Sequence, residues 1–295
     1  MADEKEVDSV TGVETTGHEW DGIRELDTPM PRWWLWTFYA TIAFSAVYTV
    51  LYPAWPLVNT ATSGVLGWSS RGDLRAEISE FDMLNVDRET AIQTTAVSKI
   101  AESPELHQYA IAAGRAAFKV NCVQCHGSGA QGGPGYPNLN DDAWNWGGTV
   151  DEIFYSIQHG IRYAADDDTR FSEMPAFGRD GILDRGQIAD IAWYVRSLSG
   201  QDADVAGAER GAPLYADNCA ACHGDAGEGM RELGAPRLND AIWLYGSSHA
   251  DIATQIAAPR HGVMPGWGDR LGEGTVKELA VYVHSLGGGE EITEP

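Results

Sequence analysis

The chain is poor in lysine, poor in cysteine and almost without strand-like alternation. Only Lys5, Lys99, Lys119 and Lys277 are lysines, and 43 acidic residues face 20 basic ones for a formal charge of −23. Such a surface repels nucleic acid, whose recognition rests on basic groups over phosphates. It leaves two readings, a generally solubilising acidic coat or a docking face for a basic partner. Four cysteines are too few for a disulfide framework in 295 residues, and all four are committed elsewhere. From Trp33 to Ser70 there is no Asp, Glu, Lys, Arg or His. Strand patterns are absent from the long C-terminal part, so the expected fold class is mainly α.

What is present is one short stretch written twice. Asn121-Cys122-Val123-Gln124-Cys125-His126-Gly127 returns as Asn218-Cys219-Ala220-Ala221-Cys222-His223-Gly224. Cys-x-x-Cys-His is the attachment signature of a c-type haem. Residues three apart share a helical face, so both thiols of a motif reach the two vinyl groups of one porphyrin. A zinc site would need a further cluster of Cys or His ligands. The reading is two covalently bound c-type haems, on Cys122 and Cys125 and on Cys219 and Cys222. His126 and His223 are the expected proximal iron ligands. Met174-Pro175 follows the first motif and Met264-Pro265 the second at similar spacing, which makes Met174 and Met264 the expected distal ligands. A neutral, soft thioether favours reduced iron and raises its potential.

The duplication is wider than the motifs. Pro137-Asn138-Leu139-Asn140-Asp141 aligns with Pro236-Arg237-Leu238-Asn239-Asp240, and Trp144 with Trp243. Ile191-Ala192-Trp193-Tyr194-Val195-Arg196-Ser197-Leu198 aligns with Leu279-Ala280-Val281-Tyr282-Val283-His284-Ser285-Leu286. The expected repeats are 104–200 and 203–288. Each gives a helix, the motif turn, a Gly/Pro-rich loop, a middle helix, a Met loop and a last helix. Ser103-Pro104 reads as a helix start, and Thr149-x-x-Glu152, Ser248-x-x-Asp251 and Thr275-x-x-Glu278 as capping boxes. Gly114 and Gly211 are expected where the first and last helices of a repeat cross, against Tyr194 and Tyr282. Arg162 and Arg260 are candidate propionate partners, and His159 and His261 candidate haem-edge residues. Met230, Trp144, Trp146, Trp243 and Tyr245 read as packing residues, and His18, His107, His249 and His284 as surface or structural.

Residues 1–32 are acidic and polar, and the part to about Gly17 reads as disordered. Residues 33–56 read as a transmembrane helix. Trp33 to Leu51 alone would extend about 28 Å at ~1.5 Å per residue, close to the ~30 Å core of a bilayer. Trp33, Trp34 and Trp36 mark one interface and Tyr48, Tyr52 and Trp55 the other. A cleaved signal peptide fits less well, because the leader is long and acidic and no small-x-small site follows. Arg32 before the span favours an N-terminus on the inside. Residues 57–103 form a long connection with a helix expected around Leu74–Met83.

The run His18-Glu19-Trp20-Asp21-Gly22-Ile23-Arg24-Glu25-Leu26-Asp27-Thr28-Pro29-Met30-Pro31-Arg32-Trp33-Trp34-Leu35-Trp36 resembles the membrane-entry segment of the diheme subunit of cbb3-type (C-type haem–copper) cytochrome c oxidases, called CcoP or FixP. Thr28 stands where that family usually has Asn. Trp144-x-Trp146-Gly147-Gly148, His159-Gly160-Ile161-Arg162 and Met174-Pro175-Ala176-Phe177-Gly178 fit the same family, and the likeness runs from about His18 to Leu286. The resemblance implies one N-terminal transmembrane helix followed by two tandem class I cytochrome c domains. It implies a single-pass subunit of the bacterial inner membrane, with a cytoplasmic N-terminus and periplasmic haem domains. Its partners would be the haem–copper catalytic subunit, the monohaem cytochrome c subunit and a c-type cytochrome donor. The chain would relay electrons and hold no catalytic residue of its own. A stand-alone membrane-anchored diheme carrier is the alternative, and a diheme peroxidase, which needs an open iron site, fits less well because each repeat offers a Met.

Overall fold

The computed structural model describes residues 6–291. The chain divides into two compact units, one up to Leu84 and one from Asn85 onward.

In the first unit, β1 (Thr15–Trp20) and β2 (Ile23–Leu26) form an antiparallel hairpin with Trp20 opposite Ile23. Asp21 and Gly22 make its two-residue turn at φ 51° and 83°, the left-handed pair that a tight hairpin requires. Arg24 is ion-paired with both Glu19 and Glu6. The stretch to Gly17 expected to be disordered is therefore ordered from Glu6 onward, and its residues 1–5 lie outside the described residues. Pro31 precedes α1 (Arg32–Leu51), a 20-residue helix with no buried residue, long and apolar enough to cross a membrane. Tyr52 ends it, and the chain folds back so that Val65 and Leu66 donate to the carbonyls of Val50 and Leu51 at 3.0 and 3.2 Å. Helix α2 (Ser70–Thr94) is 25 residues long, continues from this unit into the second and far exceeds the segment expected around Leu74–Met83.

In the second unit the remaining α-helices are α3 (Pro104–Asn121), α4 (Val123–His126), α5 (Val150–His159), α6 (Arg185–Leu198), α7 (Val205–Asn218), α8 (Ala220–His223), α9 (His249–Ala257), α10 (Gly268–Leu271) and α11 (Glu273–His284), with 3-10 turns at Val97–Glu102 and Arg231–Leu233. Local signals set their ends. Ser103, Thr149 and Ser248 cap α3, α5 and α9 as expected, the last two as full capping boxes. The box expected at Thr275 and Glu278 does not form. Helix α11 begins earlier, after Gly272 at φ 79°, and Glu278 is buried inside it.

Two apolar cores result, and they do not follow the repeats. The first joins Ala110 and Phe118 of α3 and Ile153 and Ile157 of α5 to Val276, Leu279, Ala280 and Val283 of α11. The second joins Ile188, Ile191 and Val195 of α6 to Tyr215 of α7 and Ile252 and Ile256 of α9. Each core thus takes its motif helices from one repeat and its last helix from the other. The glycine crossings show it at the backbone. A Cβ on Gly114 would lie 2.1 Å from the Glu278 carbonyl oxygen, and one on Gly211 would lie 2.1 Å from that of Asp190. Phe118 packs on Tyr282 with ring centroids 5.4 Å apart, and Tyr215 on Tyr194 at 5.1 Å. The expected pairing was Gly114 with Tyr194 and Gly211 with Tyr282, and the packing reverses it.

Polar contacts reinforce the exchange. Trp144 donates its indole N–H to the Gly288 carbonyl at 2.6 Å, and Glu290 accepts from the Gly148 amide at 3.0 Å. In the other core Arg210 pairs with Asp190 at 2.6 Å. His249 there contacts the Ala189 carbonyl at 2.9 Å and stacks on Trp193 at 3.9 Å.

A larger residue at Gly114 should loosen α11 rather than α6. Gly114→Val is expected to destabilise the first core by about 1–3 kcal/mol or more. Hydrogen exchange should then quicken roughly 10-fold or more in Glu273–His284, with Arg185–Leu198 little changed. Glu278 gives a pH test. Burial first, and then the nearby Glu89 carboxylate, push its pKa up to about 8. Folding therefore favours the protonated acid, a stabilisation complete below the ordinary glutamate range and lost as pH rises towards 8. Glu278→Gln should flatten that decline and raise the thermal midpoint above wild type at alkaline pH.

Candidate haem-binding sites

Both motifs sit at the same structural joint. Helices α3 and α7 stop at the first cysteine of each motif, and one further turn, α4 or α8, carries the rest. Within that turn the His126 amide donates to the Cys122 carbonyl at 2.9 Å, and the His223 amide to that of Cys219 at 2.9 Å. Asn121 and Asn218 tie their side chains back to the preceding helix, on the carbonyls of Ala117 and Leu214 at 2.9 and 2.8 Å. Gly127 and Gly224, at φ 80° and 79°, then turn the chain away, a conformation that glycine adopts without steric cost.

The imidazoles are oriented by the next loop. His126 Nδ1 lies 3.1 Å from the Pro137 carbonyl oxygen, and His223 Nδ1 lies 2.9 Å from that of Pro236. A carbonyl only accepts, so Nδ1 carries the proton and Nε2 keeps its lone pair. Burial lowers both histidine pKa values, more than the carbonyl bond raises them. Each ring is thus held neutral with one nitrogen free to bind a metal. Burial also pushes the Cys122 and Cys219 thiols up to about 11, with their motif partners adding to it. Cys125 and Cys222 remain exposed.

The two proline loops face each other across one cavity of about 470 Å³, lined by Pro137 and Trp144 from the first repeat and by Pro236, Met230 and Trp243 from the second. The loops also touch directly, with the Gly135 amide donating to the Leu244 carbonyl at 2.8 Å. The donor set fits a c-type haem at both motifs, with two thiols and a singly committed imidazole in each. Trp243 adds a buried indole N–H with no partner, the kind of donor that a carboxylate-bearing ligand would satisfy. Its counterpart Trp144 spends its N–H on Gly288.

Met174 and Met264 are brought to the cores, but each to the core of the other repeat's motif. Met264 packs against the first core, whose edge also includes Cys122, and Met174 against the second, which includes Cys219 and, at its edge, Trp243. Met230 sits in a turn and lines the cavity. Arg162 is drawn into the backbone, with Nε on the Gly262 carbonyl at 2.7 Å and Nη1 on that of Ser172 at 3.1 Å. Arg260 donates to the Tyr245 carbonyl at 3.1 Å and lies over that ring. His159 contacts Asp166 at 3.1 Å. These bonds occupy both arginines with protein groups.

Comparison with known proteins places the whole chain. Residues 12–59 match the family model of the N-terminal domain of cytochrome oxidase-cbb3, FixP. Residues 111–199 match the cytochrome c model, and residues 206–283 match cytochrome C oxidase, cbb3-type, subunit III. The cbb3-type cytochrome c oxidase subunit CcoP of Cereibacter sphaeroides is 54% identical over 94% of this chain and 95% of its own length. The FixP subunit of Sinorhizobium medicae is 53% identical over 98% of this chain and all of its own length. The CcoP subunit of Azospirillum brasilense is 50% identical over 97% and 99%. The first match contains α1, so the chain is a membrane-anchored subunit. With two tandem cytochrome c domains it carries two covalently bound c-type haems, and it belongs to the CcoP/FixP subunit family of the cbb3-type cytochrome c oxidases.

Proposed function

We propose that this chain takes electrons from a c-type cytochrome donor on an acidic face. It hands them to the monohaem and haem–copper subunits of a cbb3-type oxidase. The observation that carries the reading is the pair of identical motif joints, with His126 and His223 each held by a proline carbonyl and Nε2 free. Covalent haems supply reversible one-electron chemistry there. The chain's own residues anchor, orient and shield. Cys122, Cys125, Cys219 and Cys222 would hold the macrocycles, and His126, His223, Met174 and Met264 would supply the iron ligands. Iron closed on both sides suits electron transfer and disfavours the peroxidase reading. Arg32 at the start of α1 supports a cytoplasmic N-terminus in the bacterial inner membrane, with the motif-bearing unit on the periplasmic side.

Two measurements test this. Purification through this chain after gentle solubilisation should recover b-type haem and copper with it. Recovery of the c-type haems alone would favour the stand-alone carrier. Reduction by a basic soluble cytochrome c should slow by roughly 10-fold or more between low and high ionic strength, as opposite charges are screened. A rate indifferent to salt would remove the acidic docking face.

A further inference from the structure

We propose that residues 53–69, the loop that follows α1, form a folded pad that rests on the phospholipid surface, at the boundary between headgroups and acyl chains, beside the end of the span. An anchor does not by itself require this, because the chain after Tyr52 could run straight into water. Composition argues otherwise. From Trp33 to Ser70 there is no Asp, Glu, Lys, Arg or His, in a chain that is 21% charged. Helix α1 ends at Leu51, so the uncharged stretch outlasts the span by the full length of the loop. The first charges after it, Arg71 and Asp73, stand at the start of α2.

The backbone ties the loop to the helix end. The amides of Val65 and Leu66 donate to the carbonyls of Val50 and Leu51 at 3.0 and 3.2 Å. They take up two of the carbonyls that a helix leaves unpaired at its C-terminus, and they hold residues 65 and 66 against the end of the span. Glycine is needed at this joint. Gly64 has φ 67°, and a Cβ on it would lie 2.4 Å from the Leu51 carbonyl oxygen. Trp68 meets Tyr52 edge-on with ring centroids 5.6 Å apart, and Tyr52 stacks on Tyr48 at 4.8 Å. The aromatic belt of α1 therefore runs on into the loop. The Trp68 indole N–H donates to the Asp73 carboxylate, so its ring meets the belt and its polar edge meets the first acid of α2. Tryptophan adopts this divided role where a membrane meets water.

The outer surface of the loop is apolar. Trp55, Leu57, Val58, Val65, Leu66 and Trp68 are all exposed, Val58 by 98%, and an exposed apolar patch of this kind marks a contact surface. Its polar backbone is turned inward on itself. The Leu57 amide donates to the Thr60 carbonyl at 2.7 Å, and the Thr62 amide to that of Trp55 at 2.9 Å. The Thr62 hydroxyl oxygen accepts from the amides of Ala54 and Trp55 at 3.3 and 3.1 Å. Pro53 and Pro56 have no amide proton to satisfy. Such internal pairing is what a segment needs where water is scarce. Lipid is the occupant that continuity selects. The loop covers the end of α1, a helix with no buried residue, and the bilayer that surrounds that end also meets the loop.

The test puts a photo-crosslinking benzophenone amino acid in place of Val58, in the full chain within the assembled oxidase in its native membrane. Illumination should attach phospholipid, read as a mass increase on the peptide that carries residue 58. The same group in place of Val10, which is 90% exposed on the other side of the span, is the aqueous control and should attach none. Crosslinks from position 58 to another subunit would make the loop a protein interface and overturn the proposal. A lipid yield at position 58 no higher than at position 10 would place the loop in water and overturn it as well. A second variant tests the folded form. Gly64→Val cannot keep the loop against the Leu51 carbonyl, and it should lower the lipid yield at position 58 severalfold. The chain should still resist alkaline carbonate extraction from the membrane and keep both haems. An unchanged lipid yield in that variant would overturn the folded pad.

Discussion

The second unit depends on how closely two helix pairs can approach. Gly114 lies against the backbone of α11 and Gly211 against that of α6, at separations no Cβ would survive. Such contacts bring Phe118 under Tyr282 and Tyr215 under Tyr194. They also set the angle at which α3 and α7 deliver their terminal cysteines. The motif turn continues directly from that cysteine, so the helix crossing fixes the imidazole's position before the proline loop fixes its tilt. A helix displaced at the crossing would carry the thiols, the histidine and the opposing Met loop out of register together.

Much of the site was legible because its signals are local. The Cys-x-x-Cys-His motif, the Ser103, Thr149 and Ser248 caps and the apolar span each depend on residues a few positions apart, and the caps and the apolar helix appear as read. The Asp21-Gly22 hairpin was equally local, but the acidic composition around it drew the reading towards disorder. Helix α2 was underestimated because its apolar residues, though at helical spacing, are few among charged and polar ones. Leu74, Ile78, Phe81 and Leu84 are all exposed, and Ile92 is its one buried residue.

The exchange of halves was not legible, for a different reason. Both repeats carry the same glycine, the same tyrosine and the same Met-Pro, so either pairing satisfies the pattern equally well. Sequence repetition establishes that two cores exist and leaves open which half closes which. One signal did favour the observed pairing. Only residues 199–204 separate α6 from α7, and helices joined by so short a link tend to pack as antiparallel neighbours. The last helix of the first repeat therefore meets the first helix of the second before any other partner. The outer pair, α3 and α11, is left to close the other core across more than 150 residues, a costly loop to order.

That nesting has a consequence for electron relay. Two cytochrome domains joined by a plain linker would move independently, and the distance between their haems would vary with that motion. Here the core containing α6, α7 and α9 is inserted within the chain of the other, and neither closes without the crossing segments. The proline loops that orient His126 and His223 line one shared cavity and bond each other through Gly135 and Leu244. Oriented imidazoles, opposing loops and clamped crossings thus belong to one rigid construction. Electron transfer between centres depends on a separation that must be small and constant, and a fold that cannot be pulled into two pieces keeps it so.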